Sequence, residues 1–157
     1  MNTLEKIQQE IKVFEQKKKD LFSELEKEFP KLFIPLFEKS KFINSIGFRM
    51  YIPYFNDGDE CTFSVYSDDL EINEESEYDL DWYDWRIRHY LENPEGEYKD
   101  LLKDNPSLNL EEYKILQEFK EVLGSIPDEF FQSLFGSHQK ITIFKNGEIT
   151  NEEYDHD

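Results

Sequence analysis

Between Arg49 and Arg86 the chain carries twelve acidic residues and not one Lys or Arg. Within that span lie a strong hairpin signal and the only cysteine, so this stretch constrains the fold more than any other. Met50, Ile52 and Tyr54 share one parity and Tyr51, Pro53 and Phe55 the other, which predicts a strand covered on both faces. Asn56-Asp57-Gly58-Asp59 breaks it with residues that tolerate the positive φ of a tight reversal, and Cys61 to Tyr66 alternates as the return strand. Pro53 has no N–H for a ladder, which places the first strand at an edge or a bulge. The same turn has the look of a calcium loop, but Phe55 and Pro53 occupy the preceding ligand positions. Ser64 stands where a glutamate is needed, so a turn without metal is the better reading.

A chain of 157 residues suits one domain and can bury roughly 70% of its unfolded surface. Fourteen Phe and nine Tyr, with no Ala at all, make an aromatic core the only source of enough apolar burial to offset chain entropy. With no signal peptide, no long apolar run and no cysteine pair, the expectation is a soluble cytoplasmic protein without a membrane segment. Cys61 is expected as a small buried hydrophobe on its strand.

The charge is unevenly placed. Residues 1–50 hold ten Lys/Arg and eight Asp/Glu, a sum of +2; residues 51–157 hold eight and twenty-eight, a sum of −20, giving the net −18. At about one charge per 1.7 Å of duplex axis, eighteen net charges match on the order of 30 Å of DNA. Direct nucleic-acid binding is therefore disfavoured and a basic protein partner favoured, against the plainer alternative that acidity only confers solubility.

Along the chain, Leu4, Ile7, Ile11, Phe14, Lys18, Leu21 and Leu25 follow a 3,4 spacing, which predicts a capped helix over 3–28, about 40 Å long. Lys18 in the seam, flanked by Lys17 and Lys19, tips the balance toward packing along the domain's own sheet and away from a coiled coil with another chain. Residues 30–40 read as a second short helix limited by Pro35, with Leu32, Phe33, Leu36 and Phe37 as its apolar set. Strand character is expected at 69–73 and an irregular loop over the rest of 68–84. Helical spacing over 82–91 aligns Tyr83, Ile87, Tyr90 and Leu91, and the aromatics there, Trp82 and Trp85 included, are read more readily as core than as a contact surface. A helix from Asn109 to Gly124, another from Pro127 to Gly136, and a hairpin of Lys140–Phe144 and Ile149 onward around Asn146-Gly147 complete the chain.

The fold class expected is α+β: a helical N-terminal segment, 1–41, and an acidic domain, 42–157, built on an antiparallel sheet of two hairpins with helices between them. No nucleophile elbow, phosphate-binding glycine loop or CxxC pair is present. No cofactor is expected. The one constellation with metal-ligand chemistry is Asp155-His156-Asp157, with His138 and the Asp57/Asp59 turn as spatial partners, although terminal tails are usually solvated. His89 has no second His or Cys nearby and reads as structural.

Three segments carry a resemblance: Tyr51–Val65, Leu134–His138 and Glu152–Asp157. Together they resemble a family of small uncharacterised proteins from tailed bacteriophages and bacteria, in which the first motif also follows a helical segment and the tail also closes the chain. The likeness covers roughly 45–157 in outline and implies no activity. The chain departs from it at Gly47-Phe48-Arg49-Met50, where a more polar, Trp-containing lead-in is usual, and in its long acidic insert at 68–104.

The leading functional expectation is a non-enzymatic, phage-encoded acidic protein that docks on a basic surface of a host protein, one version being an inhibitor that fills a nucleic-acid-binding groove. Its contact residues are Asp68, Asp69, Glu71, Glu74, Glu75, Glu77, Asp79, Asp81 and Asp84, with Trp82 and Trp85 as anchors. The alternatives are a divalent-metal protein or enzyme using Asp57, Asp59, His138, Asp155 and His156, and a structural module that self-associates through the helix at 3–28.

Overall fold

The fold is α+β, a long N-terminal helix joined to a four-stranded antiparallel sheet that is covered on one face by helices. The computed structural model describes residues 2–53, 61–74 and 80–154, with positions 68 and 80–82 described by backbone alone. The Asn56–Asp59 turn lies outside the described residues.

Helix α1, Thr3–Glu28, starts where expected. Asn2 caps it, its Oδ1 accepting from the Glu5 N–H at 2.8 Å. A 3-10 turn, Phe29–Leu32, follows without a break, and then α2, Ile34–Lys39. The single helix expected over 30–40 is therefore two short pieces, and Pro35 opens the second instead of ending the first. A missing N–H costs nothing in a first turn, where no carbonyl awaits it. Phe29, Phe33, Leu36 and Phe37 are buried, while Leu32 is exposed.

The sheet order is β2-β1-β3-β4, with β1 Ser45–Tyr51, β2 Ser64–Ile72, β3 Gln139–Phe144 and β4 Ile149–Glu153. Both sequence hairpins exist, and they are joined by antiparallel pairing of β1 with β3, Ile46 opposite Ile143 and Phe48 opposite Ile141. The first hairpin departs from expectation in its bounds. Its outgoing strand ends at Tyr51, so Ile52 and Pro53 lie beyond it, and its return strand begins at Ser64, leaving Cys61 partly exposed and off the strand. Strand β1 is interior and not an edge. Pro53 is compatible with this because pairing stops before it.

Ile46, Phe48 and Met50 point one way from β1 and are fully buried with Leu70, Ile72, Ile141 and Ile143. On the opposite parity, Gly47 brings β1 close to β2: a Cβ there would lie 3.4 Å from that of Glu71. The register is irregular at this point, with Arg49 opposite Tyr66 but Gly47 opposite Glu71, so β2 carries the extra residues of a bulge. The strand character expected at 69–73 is the second half of β2. Asn73, at φ 56°, ends the hairpin in the left-handed region that Asn tolerates. Its side chain accepts from the Asn44 and Ser45 N–H groups and donates to the Phe42 carbonyl.

Between the hairpins run α3, Leu80–Glu92; α4, Leu101–Asp104; a 3-10 turn, Pro106–Leu108; α5, Leu110–Ser125; and α6, Asp128–Phe135. The irregular loop expected up to residue 84 thus gives way to helix at Leu80. Tyr83 and Ile87 are buried as their spacing implied, whereas Leu91 is exposed. The Tyr83 hydroxyl donates to the Leu108 carbonyl, and burial pushes its pKa up to about 12. Helix α5 is capped by Asn109 and buries Ile115, Leu116, Phe119 and Leu123. Helix α6 ends at Gly136, whose φ of 99° favours glycine. The core is aromatic: Phe29 contacts the rings of Phe33, Phe130, Phe131 and Phe135 within 6.0 Å, and Phe131 meets Phe48 of the sheet at 5.6 Å.

Helix α1 does not pack along the sheet. Its main contacts are with the 3-10 turn that follows it and with α6. None of its residues is buried.

Candidate functional site

The acidic belt separates into residues that serve the fold and residues that face outward. Glu71, on β2, is nearly buried; it accepts from Lys140 Nζ of β3 at 2.9 Å and lies 3.8 Å from Arg49 Nη2 of β1. A carboxylate held between two cations crosslinks three strands, and its charge is neutralised where it stands. Asp84 plays the same part between α3 and α5, accepting from Lys120 Nζ at 2.6 Å and Gln117 Nε2 at 3.1 Å. Burial, and then the neighbouring Asp84, raise the pKa of the Tyr113 phenol beside it. Glu71 and Asp84, expected to bind a partner, are thus occupied inside the molecule.

Asp69 is more than half exposed, 3.7 Å from Arg49 Nη1, and Glu74 is exposed at the end of the hairpin. Trp85 is 47% exposed on α3, with His89 at 4.2 Å and Tyr98 edge-on at 5.6 Å. Its expected place in the core is therefore not the observed one. The stripe of Tyr83 and Ile87 fills the core side of the helix, and Trp85, two residues on from Tyr83, is turned away from it. Asp68 lies in β2 and Asp81 and Trp82 in α3, described by backbone alone; Glu75, Glu77 and Asp79 lie outside the described residues.

At one end of the sheet, residues from the three resemblance segments meet. Tyr51 closes β1, Ser64 opens β2 opposite it, Gln139 opens β3 opposite Met50, and Glu153 closes β4 opposite Gln139. The rings of Tyr51 and Tyr66 stack at 4.2 Å, and Tyr154 packs 5.7 Å from Tyr51. The Arg49 guanidinium lies 5.5 Å from the centre of the Tyr154 ring. The Tyr154 N–H donates to the His138 carbonyl at 3.0 Å. Burial, and then the hydrogen bond with Tyr51, push the Tyr66 phenol up to about 12. His138 is thereby beside the start of the C-terminal tail, as the metal reading requires. Asp57, Asp59, Asp155 and His156 lie outside the described residues, and among the described residues no group of three or more His, Cys, Asp or Glu is placed to hold a metal ion. The tyrosine cluster was not foreseen. Its only trace in the sequence is that Tyr51 and Tyr154 lie within two of those segments and Tyr66 adjoins one, and nothing in the chain order shows that they meet.

A third region lies where α1 meets α6. Lys18 Nζ donates to Glu129 at 2.6 Å, which raises the lysine pKa and lowers that of the glutamate. Phe22 and Phe130 pack edge to face at 5.7 Å. Beside them is an apolar groove of about 440 Å³ lined by Leu25, Phe29, Leu32 and Ile126 together with those two rings.

Comparison with protein-family models, curated proteins and solved structures finds no match to this chain. Among the described residues, no helix is long and apolar enough to cross a membrane. Fold and surfaces therefore define the class: an acidic α+β protein with a polar sheet face and a protruding helix.

Proposed function

We propose that this is a non-enzymatic binding protein, phage-encoded as the resemblance suggests, whose acidic face docks on a basic surface of a host protein. The observation that supports it best is Trp85, a large ring left half open to solvent on the helix that follows the acidic belt. Tryptophan, with tyrosine and arginine, is enriched among the residues that anchor interfaces. Long-range attraction by the excess negative charge steers the basic partner, and the ring supplies contact energy once water is excluded. Of the described acids of the belt, Glu74 is exposed and Asp69, though 3.7 Å from Arg49, has more than half of its side chain open to solvent. The test begins with capture of a basic protein from nuclease-treated bacterial lysate and its elution in salt steps, followed by titration of that purified protein. Trp85→Ala and the pair Asp69→Lys/Glu74→Lys are each expected to weaken binding by about tenfold or more, with the far-ultraviolet circular dichroism of the folded protein unchanged. Equal affinity of both variants with the parent removes the proposal.

One observation favours a second reading, a divalent-metal protein. Tyr51, at the end of the strand that leads toward the Asp57/Asp59 turn, and Tyr154, next before the Asp155–Asp157 tail, pack together beside His138. His with carboxylates is a ligand set for zinc or manganese. Elemental analysis after equilibration with either ion and desalting is expected, on this reading, to find one ion per chain, lost when residues 155–157 are deleted. Absence of a stoichiometric ion in the full chain rules the reading out.

A further inference from the structure

The C-terminal half of α1 is held by α6, through Lys18 with Glu129 and Phe22 with Phe130. The N-terminal half extends past that contact, and its apolar residues are bare: Leu4 is 63% exposed, Ile7 50%, Ile11 54% and Phe14 64%. Four large side chains on one stripe form a contiguous apolar surface of the kind that marks an interaction site. We infer that its occupant is α1 of a second copy, paired antiparallel, and that the chain is a homodimer through this helix. This surface is separate from the acidic face and does not depend on it.

Three features of the chain select a second copy, and this orientation. The first is charge density. Residues 1–28 carry six Lys and seven Asp/Glu, close to neutral, in a chain of net −18. Elsewhere two copies repel; along α1 they can approach. The second is the placement of the domains. A parallel pair sets two acidic domains side by side, whereas an antiparallel pair puts them at opposite ends of helices about 39 Å long, several times the Debye length of about 8 Å at physiological salt.

The third is the flanking charges. With the seam in antiparallel register, Leu4 lies level with Leu21 of the second copy and Ile11 with Phe14. Glu10 and Lys17, which border the seam on one side, then fall opposite each other, and two-fold symmetry makes that pair twice. Neither has an ion-pair partner within the chain among the described residues. The parallel arrangement instead sets Glu10 against Glu15 and Lys18 against Lys18. Lys18, the polar break in the seam, is accommodated in the antiparallel pair: Glu129 holds its ammonium to one side, and its methylenes remain to cover Ile7 of the second copy. Beside it, Phe14, Leu21 and Phe22 line a shallow groove at the position where Leu4 of the second copy arrives.

Sedimentation equilibrium of the full chain tests this. The expected result is a reversible dimer, abolished by Ile11→Glu/Phe14→Glu with an unchanged circular dichroism spectrum and, below the dimer dissociation constant, an unchanged melting curve, since both positions are exposed in the single chain. Glu10→Lys alone and Lys17→Glu alone should each raise the dimer dissociation constant by about tenfold, two attractive pairs becoming repulsive. The double variant Glu10→Lys/Lys17→Glu should restore it. A monomer up to high micromolar concentration overturns the inference, as does a dimer that survives Ile11→Glu/Phe14→Glu. A dimer tightened or left unmoved by Glu10→Lys overturns the antiparallel pairing, because in the parallel arrangement that change turns Glu10–Glu15 repulsion into attraction.

Discussion

Phe119→Ala is expected to destabilise the fold by about 3–5 kcal/mol, a large part of the 5–15 kcal/mol typical of a whole domain. The ring is fully buried on α5, stacked nearly parallel to Phe33 at 6.1 Å and edge-on to Phe37 at 4.9 Å. It therefore joins the C-terminal helical layer to the segment that links α1 to the sheet. Truncation removes those contacts and leaves a cavity that the neighbouring rings, themselves wedged by other rings, can fill only in part. Urea unfolding followed by circular dichroism measures the loss. Phe14→Ala is the matched control: the same truncation on a helix, at an exposed site, is expected to change stability by no more than about 0.5 kcal/mol in the single chain. Similar losses at the two sites would mean that the core is not where the structure places it.

Glu112→Ala is expected to cost about 3 kcal/mol, because it strands buried partners in addition to deleting a side chain. The carboxylate lies buried in the first turns of α5, and it accepts from the Lys41 N–H at 2.8 Å and from the Ser40 hydroxyl. Ser40 Oγ in turn accepts from the Ile43 N–H at 2.7 Å and the Phe42 N–H at 3.2 Å. The chain between α2 and β1 has no regular pairing of its own over these residues, and this network supplies acceptors for the Lys41, Phe42 and Ile43 N–H groups. Glu112→Gln keeps one acceptor oxygen and should cost less, and Glu111→Ala, one residue away and exposed, should cost little. A cycle with Ser40→Ala is expected to show coupling above 0.5 kcal/mol, as for residues in one network. Additive losses would show that the two side chains act separately.

Some of this is legible in the amino-acid sequence. The Asn109 and Asn2 caps, the Gly136 stop and the Asn146-Gly147 turn are local signals, each decided by a few neighbouring residues, and each marks an element where it was expected. So were the two hairpins, the class α+β, and the buried stripes of α5. The first hairpin slipped in its bounds because Tyr51–Phe55 alternates as well as Ser45–Tyr51 does. Only the partner strand β3, which pairs with Ser45 to Met50, decides between them. Leu91 was placed inward on helical spacing, which gives the relative angle of side chains but not how wide a stripe the core covers, and Trp85 was placed inward on its residue type, which says nothing of direction.

The candidate sites divide in the same way. The apolar seam of α1 was written in its spacing, though not that it stands bare instead of lying on the sheet, and the acidic excess was written in the composition. Which acids serve the fold was not, because a carboxylate's role depends on what lies across from it. Glu71 needs β1 and β3 on either side, and Asp84 needs α5 beneath it. Likewise the meeting of Tyr51, Tyr66 and Tyr154 beside His138 follows from β1 pairing with β3, a contact between residues some ninety positions apart in the chain. Periodicity, capping and turn chemistry act over a few residues, so the sequence by itself determined the elements and the apolar stripe of α1, while its exposure was decided by where the rest of the fold lies. Order of strands, depth of burial and the pairing of charges are settled only by distant segments brought together, and those the tertiary structure alone decided.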